Sequence, residues 1–170
     1  MGAARHASDV GAAITSDVIA LPREAIHAAT TRNWGGDLMT PLEKLKAMKM
    51  PFAELKGVEF VEAGKDRVVA RMTVRPDLCT LHHTIHGGAL MAFADSVGAA
   101  ATVINLPEDA KGTTTLESKT NFIGGAKEGT TVIATATPVH RGRRTQIWTT
   151  RLETEDGKLV AVVTQTQLVL

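Results

Sequence analysis

A carboxylate lies in the middle of the most apolar segment of this 170-residue chain. The segment runs from Gly87 to about Asn105, predicts the longest helix and is apolar on nearly all sides. Asp95 lies inside it with no oppositely charged residue three or four positions away. A buried carboxylate is costly unless it is paired, so Asp95 needs a partner or a chemical role. The candidate role is a nucleophile or general base, and the alternative is a structural aspartate, bonded to a backbone group or lying at a subunit boundary.

The start of this helix is a second candidate for chemistry. His86 precedes Gly87 and Gly88, so a ligand atom can approach the first unpaired amides of the helix closely. Such amides can polarise a carbonyl group and stabilise an oxyanion, although two glycines also suit a plain turn. Asp95 follows His86 by nine residues, roughly 13 Å along a helix axis. If one active site uses both the helix amides and Asp95, we expect either that two subunits contribute to it or that the substrate is long enough to bridge the two groups.

A local basic site follows later in the chain. It consists of His140, Arg141, Gly142, Arg143 and Arg144. Arginine side chains on a hairpin turn suit phosphate oxygens, and the alternative is a solvated basic turn.

A cluster of Cys79, His82, His83 and His86 has the residue types of a metal site. Structural zinc sites draw their ligands from two separated segments, and no second set is evident, so we expect no metal ion.

The composition bounds the class of protein. The chain is 44% hydrophobic and 22% charged, as expected for a globular domain, and its formal net charge of +1 gives no reason to expect nucleic acid or a membrane as a partner. Cys79 is the only cysteine, so an intrachain disulfide is excluded. The N-terminus lacks the uninterrupted apolar core of a signal peptide, because polar and charged residues interrupt it at Asp9, Ser16, Asp17 and Arg23. We therefore expect a cytoplasmic protein.

The elements around the apolar helix predict a domain over residues 38–170, preceded by a mobile or loosely docked arm over residues 1–37. A capping-box pattern from Thr40 to Glu43 predicts a helix from Pro41 to about Lys49, followed by a short turn over Pro51 to Lys56. Alternating and β-branched segments predict six strands: Val58–Glu62, Arg67–Val74, Thr113–Phe122, Thr130–Val139, Thr145–Glu153 and Leu159–Leu168.

The order of these elements is two strands, one long helix and four strands in meander-like succession. Strands in runs without intervening helices predict an α+β domain with an antiparallel sheet. The apolar helix is long enough for a membrane span, but Asp95 and its many small residues disfavour that interpretation. We instead predict a curved antiparallel sheet wrapped around a long central helix.

The string from Thr84 to Asp95 resembles the helix signature of hotdog-fold acyl-CoA thioesterases, specifically the PaaI and 4-hydroxybenzoyl-CoA thioesterase group. The resemblance covers about Pro51 to Leu170. Further positions match the same group: Asn121, Phe122, Gly129, the basic run and the turn at Asp156, Gly157 and Lys158. The resemblance implies a hotdog fold, a homodimer or a homotetramer built as a dimer of dimers, and active sites at the subunit boundary.

The resemblance also implies an acyl-CoA thioesterase that uses no cofactor, because the coenzyme A thioester is the substrate. Asp95 would attack the thioester carbonyl or activate water, and both routes stay open. The amides of Gly87 and Gly88 would polarise the thioester oxygen against Asp95 of the partner subunit. The remaining implied site residues are His86 and Thr80 near the thioester, His83 and Asn121 near the substrate, and the basic run from His140 to Arg144 at the nucleotide phosphates.

Three positions depart from the family pattern. Thr80 stands where the family has Asn or Gln, His83 where it has Gly, and Ala99 where related enzymes place Ser or Thr. A non-catalytic acyl-CoA-binding hotdog module is therefore the alternative function. Hotdog hydratases need a different arrangement of His and carboxylate, which is not seen here. The identity of the acyl group stays open.

Overall fold

The structure is a computed structural model that describes residues 39–170. The arm predicted over residues 1–37 lies outside the described residues. Two short helices open the described part, α1 over Pro41–Ala47 and α2 over Pro51–Lys56. The capping box is confirmed, because the Glu43 amide donates to Thr40 Oγ1 at 3.3 Å and the Thr40 amide donates to Glu43 Oε2 at 2.7 Å.

Six strands form one antiparallel sheet, in the order β1-β2-β6-β7-β8-β5. A separate two-stranded ladder, β3 with β4, lies directly before the long helix. The bounds of the strands are β1 Glu59–Ala63, β2 Val68–Thr73, β3 Cys79–Thr80, β4 Thr84–Ile85, β5 Thr113–Phe122, β6 Thr131–Arg141, β7 Thr145–Thr154 and β8 Leu159–Val169. All six predicted strands are confirmed, with bounds that differ by at most two residues at each end.

The sheet order differs from the predicted meander at one strand. Strands β6, β7 and β8 are sequential neighbours, but β5 pairs with β8 at the edge of the sheet and not with β6. Side-chain alternation predicts which face of a strand is buried, but it does not determine which strand lies next to it. Strand β5 therefore has one neighbouring strand among the described residues and an open edge.

Helix α3 spans Gly87–Val103 and is the central element. It packs against five of the six strands of the sheet, namely β2, β5, β6, β7 and β8. Phe93 and Val97 are fully buried, and small residues such as Ala94 and Ala101 let the strands approach the helix closely. The prediction of a central helix wrapped by an antiparallel sheet is thus confirmed. No helix within residues 39–170 has the length and apolar character needed to cross a membrane.

The turn between β3 and β4 holds two histidines in an unusual backbone conformation. His82 has φ 64° and His83 has φ 52°, in the left-handed region that favours glycine. The side chain of His83 is exposed and its Nδ1 lies 2.6 Å from Glu128 Oε2. The family that the chain resembles has Gly at position 83. Glycine adopts a positive φ without strain, which gives a physical reason for that preference.

We expect His83→Gly to raise the free energy of unfolding by about 1 kcal/mol, because relief of a left-handed non-glycine residue outweighs loss of an exposed ion pair. Urea unfolding of the two proteins measures this difference. His140→Gly is the matched control, since His140 lies in strand β6, where glycine lowers stability. A loss of stability in His83→Gly equal to that of the control would show that the contact with Glu128 outweighs the backbone strain.

Candidate active site

Asp95 lies in the third turn of α3 and faces the edge strand β5. Its Oδ1 accepts a hydrogen bond of 2.9 Å from Thr115 Oγ1. The helix around it is enclosed, but Asp95 itself is half-buried in the single chain. No Lys, Arg or His of residues 39–170 forms an ion pair with it. The carboxylate is therefore held by neutral donors.

A chain of half-buried and buried polar groups supports that hydrogen bond. Gln167 Nε2 donates to Thr115 Oγ1 at 2.8 Å. Thr113 Oγ1 lies 2.9 Å from the Leu168 carbonyl oxygen and 3.2 Å from Gln167 Oε1, and its single proton favours the shorter contact. Thr115 and Gln167 are paired across β5 and β8. Because Gln167 is fully buried, its amide fixes the direction in which the Thr115 hydroxyl donates.

Gln165 is the second donor to Asp95. Its Nε2 lies 3.4 Å from both the backbone oxygen and Oδ1 of Asp95, and the residue is fully buried. Gly98 makes room for it, since a Cβ at position 98 would lie 2.4 Å from Gln165 Cδ. Sequence reasoning missed both glutamines. The available signal was their position two residues apart on the same inward face as Val163, where an apolar side chain is expected.

Both donors reach the same oxygen of Asp95. Within the described residues, Asp95 Oδ2 has no hydrogen-bond donor. One oxygen is therefore fixed, and the other is free to accept a proton or to attack a carbon atom.

The start of α3 distinguishes the two candidate amides. The Gly88 amide donates to Nδ1 of its own N-cap residue, His86, at 2.8 Å, which leaves the ring proton of a neutral His86 on Nε2. The Gly87 amide has no acceptor among the residues that the structure describes. A Cβ at position 87 would lie 3.1 Å from the ring of Phe122, so this position is kept small by the end of β5. The geometry favours Gly87 as the amide that can polarise a carbonyl.

The other predicted contacts around the thioester lie on exposed segments. Thr80 ends β3, and His83 follows it in the turn and pairs with Glu128. Asn121 is exposed near the end of β5 and accepts a hydrogen bond of 2.8 Å from Lys119 Nζ. The single chain does not bring these three side chains to Asp95.

The candidate metal cluster is dispersed. Cys79 Sγ donates to the Arg75 carbonyl at 3.4 Å, and burial raises the pKa of this thiol. His86 Nδ1 accepts a hydrogen bond from the Gly88 amide, and His83 Nδ1 contacts Glu128 Oε2. Within residues 39–170, no three His, Cys, Asp or Glu side chains are arranged to hold a metal ion.

The basic run lies at the turn between β6 and β7, as predicted. His140 and Arg141 end β6, and the Gly142 amide donates to the Thr145 carbonyl at 2.9 Å to close the turn. Arg141 donates to the Lys65 carbonyl at 2.7 Å and to Asp66 at 2.7 Å.

The other two arginines of the turn differ in their partners. Arg143 pairs with Asp109 at 2.6 Å, and its hydrogen bond lowers the pKa of that carboxyl group. The Arg144 side chain has no hydrogen-bonding or ion-pair partner in the described part of the chain, and it is exposed. Arg144 is therefore the arginine most available to an anion.

Known proteins match this chain in sequence and in fold. Residues 82–161 match the model of the Thioesterase superfamily. A protein of Mycobacterium tuberculosis named "Putative esterase" is 32% identical over 114 residues, which are 66% of this chain and 81% of that protein. Its solved structure has a TM-score of 0.68 and covers 71% of this chain and 97% of that chain, at 30% identity.

Two further solved structures resemble the chain. A thioesterase of Haemophilus influenzae has a TM-score of 0.71 at 27% identity, and the match covers 79% of this chain and 92% of that chain. A mutant of the phenylacetic acid degradation protein PaaI of Thermus thermophilus has a TM-score of 0.65 at 33% identity, over 71% of this chain and all of that chain. These matches confirm the predicted resemblance to PaaI-like proteins and the hotdog fold.

We expect Thr115→Val to lower the free energy of unfolding by about 1–3 kcal/mol, because it leaves the Gln167 amide without this acceptor and Asp95 Oδ1 with only the 3.4 Å contact from Gln165. Thr115→Ser keeps the hydroxyl and is the matched control. Chemical denaturation of the three proteins measures both changes. Equal stability of the Val and Ser variants would contradict a role for this hydroxyl in holding the carboxylate.

Proposed function

This chain belongs to the thioesterase superfamily, and we propose that it hydrolyses acyl-CoA thioesters to a free carboxylic acid and coenzyme A. Membership in the superfamily supports thioester hydrolysis as the general activity. The observation that carries the proposal is Asp95, a carboxylate on the central helix with one oxygen fixed by Thr115 and the other free.

Two routes use the free oxygen. As a nucleophile, Asp95 Oδ2 attacks the thioester carbonyl carbon, the C–S bond breaks, and the coenzyme A thiolate leaves. Water then hydrolyses the mixed anhydride and regenerates the carboxylate. As a general base, Oδ2 takes a proton from a water molecule whose oxygen attacks the same carbon; the C–S bond then breaks, and the proton passes from Asp95 to the leaving coenzyme A thiolate. In both routes negative charge develops on the thioester oxygen, and the Gly87 amide is the donor proposed to stabilise it.

The proposed site needs two subunits. Gly87 and Asp95 are eight residues apart on α3, about 12 Å along the axis, so one chain does not bring them to one carbonyl group. Strand β5 contacts both of them, because the Phe122 ring lies beside Gly87 and Thr115 binds Asp95. The two halves of the site therefore lie at the two ends of one edge strand.

A two-fold axis midway along β5 would join these halves. Two β5 strands paired antiparallel about that axis would place Thr115 of one subunit opposite Phe122 of the partner subunit. Gly87 would then lie near Asp95 of the partner subunit. The exposed side chains of Leu116 and Phe122, at 58% and 53%, support this edge as the contact between subunits.

The basic turn is the proposed site for the phosphates of coenzyme A. Arg141 is held by Asp66 and backbone oxygen, and it anchors the turn. Arg144 projects without a partner in the described residues and suits a bidentate contact with phosphate. Arg143 would join it by exchanging its exposed pair with Asp109, which is a weak interaction.

We expect Asp95→Asn to lower kcat for thiol release by about 10²-fold or more, because the amide is neither a base nor a nucleophile. The assay uses a panel of short, medium, long and aryl acyl-CoA esters. Asp156→Asn, in the exposed turn before β8, is the matched control and should retain activity. Tight binding of acyl-CoA without thiol release by either the native chain or Asp95→Asn would favour the non-catalytic binding module. That alternative is suggested by Thr80 and Ala99, two positions at which the chain departs from the family pattern.

We expect Arg144→Ala to raise KM for an acyl-CoA about tenfold, because one charge-assisted contact with phosphate is lost. KM for the matching acyl-N-acetylcysteamine ester, which lacks the nucleotide, should not change. Arg151→Ala serves as the control, since Arg151 is an exposed arginine of β7 paired with Glu153. An equal increase in KM for both esters would place Arg144 outside the nucleotide site.

A further inference from the structure

A pocket of about 290 Å³ lies between α2 and the first turns of α3. Its walls are mainly apolar or small, and they include Phe52, Leu55, Leu78, Gly88, Ala89 and Ala92. Gly88 adjoins the amide that is proposed to polarise the thioester. The pocket is therefore placed to receive the acyl group of a bound substrate.

A buried lysine lines this pocket. Lys56 is 3% exposed, although the neighbouring Phe52 and Leu55 are 60% and 68% exposed. Its Nζ lies 3.3 Å from Ser96 Oγ and 3.5 Å from the centre of the Phe52 ring. Of the three donors of an ammonium group, the hydrogen bond to Ser96 occupies one.

No carboxylate of residues 39–170 forms an ion pair with Lys56. Burial lowers the pKa of Lys56, and the negative charge of Asp95 acts in the opposite direction. The other cation of the pocket, Arg75, is paired with Asp77 at 2.9 Å and also donates to the carbonyl groups of Leu55 and Lys56. Lys56 is therefore the cation of this pocket with donors left for a ligand.

A cation buried beside an apolar pocket favours a negatively charged partner, because an anion offsets the loss of hydration more strongly than the Ser96 hydroxyl or the Phe52 ring can. We propose that Lys56 binds a carboxylate at the far end of the acyl group, so that the preferred substrates are coenzyme A esters of short dicarboxylic acids. This inference rests on the proposed thioesterase function and adds the class of its substrate.

The dimensions of α3 support a short acyl group. Gly88 and Ser96 are eight residues apart, about 12 Å along the axis. The Lys56 side chain enters from α2, so the acyl group crosses only part of this distance. Glutaryl and adipyl groups are the lengths to test first.

The test compares matched pairs of substrates, glutaryl-CoA with valeryl-CoA and adipyl-CoA with hexanoyl-CoA. The native chain should have a kcat/KM at least about tenfold higher for the dicarboxylic member of one pair, as expected for a charge-assisted contact. Lys56→Met should lose this preference and retain activity on the neutral esters. Lys49→Met, an exposed lysine between α1 and α2, is the control and should keep the preference.

The outcomes separate this inference from the proposed function. An equal loss on charged and neutral esters in Lys56→Met would show that Lys56 acts through Asp95, and would overturn the substrate class while leaving the thioesterase intact. A native preference for the neutral esters would also overturn it. Thermal unfolding checks the variant, which should melt no lower than the native chain because a buried charge is replaced by an apolar side chain.

A binding measurement keeps the inference testable without turnover. In the Asp95→Asn background, calorimetry should give tighter binding of glutaryl-CoA than of valeryl-CoA, and Lys56→Met should abolish the difference. If no ester is hydrolysed but glutaryl-CoA still binds more tightly than valeryl-CoA, the proposed hydrolysis is contradicted and the proposed carboxylate site at Lys56 is supported. Equal affinities for the two esters would overturn the acyl site.

Discussion

The enclosure of helix α3 is the constraint on which the rest of the structure depends. A helix without a polar stripe is stable only when it is covered on most of its surface, and here five strands cover it. The polar side chains that point from the helix toward the sheet and α2 then find most of their partners within the domain. Thr102 bonds to the Gly98 carbonyl, Ser96 to Lys56, and Asp95 to Thr115. The site chemistry is therefore determined by what the sheet and α2 present to this helix.

The parts of the fold that depend on local sequence could be predicted. The capping box at Thr40, the length of α3 and the bounds of the strands follow from capping and periodicity, which act over a few residues. The position of β5 could not be predicted in the same way. Its pairing with β8 joins segments some fifty residues apart, and periodicity carries no information about partners at that separation.

The same distinction between local and long-range information applies to the residues of the candidate site. Asp95 is identified by sequence because a charge interrupts an apolar helix, and Gly87 and Gly88 because two glycines occupy the start of that helix. The partners of these residues are not identifiable in this way. Gln165 and Gln167 look like ordinary strand residues, and Lys56 ends a short helix where an exposed lysine is the usual expectation. Their importance comes from burial against α3, which is a property of the folded chain.

The close approach of Gly98 and Gln165 has a consequence for how such a protein can evolve. The space beside the helix holds either a Cβ at position 98 or the glutamine amide at position 165, but not both. A mutation at either position alone leaves a clash or a void next to Asp95, whereas a paired change refills the space. Substitutions at the two positions are therefore expected to covary. In related sequences, a larger residue at position 98 should be accompanied by a smaller one at position 165.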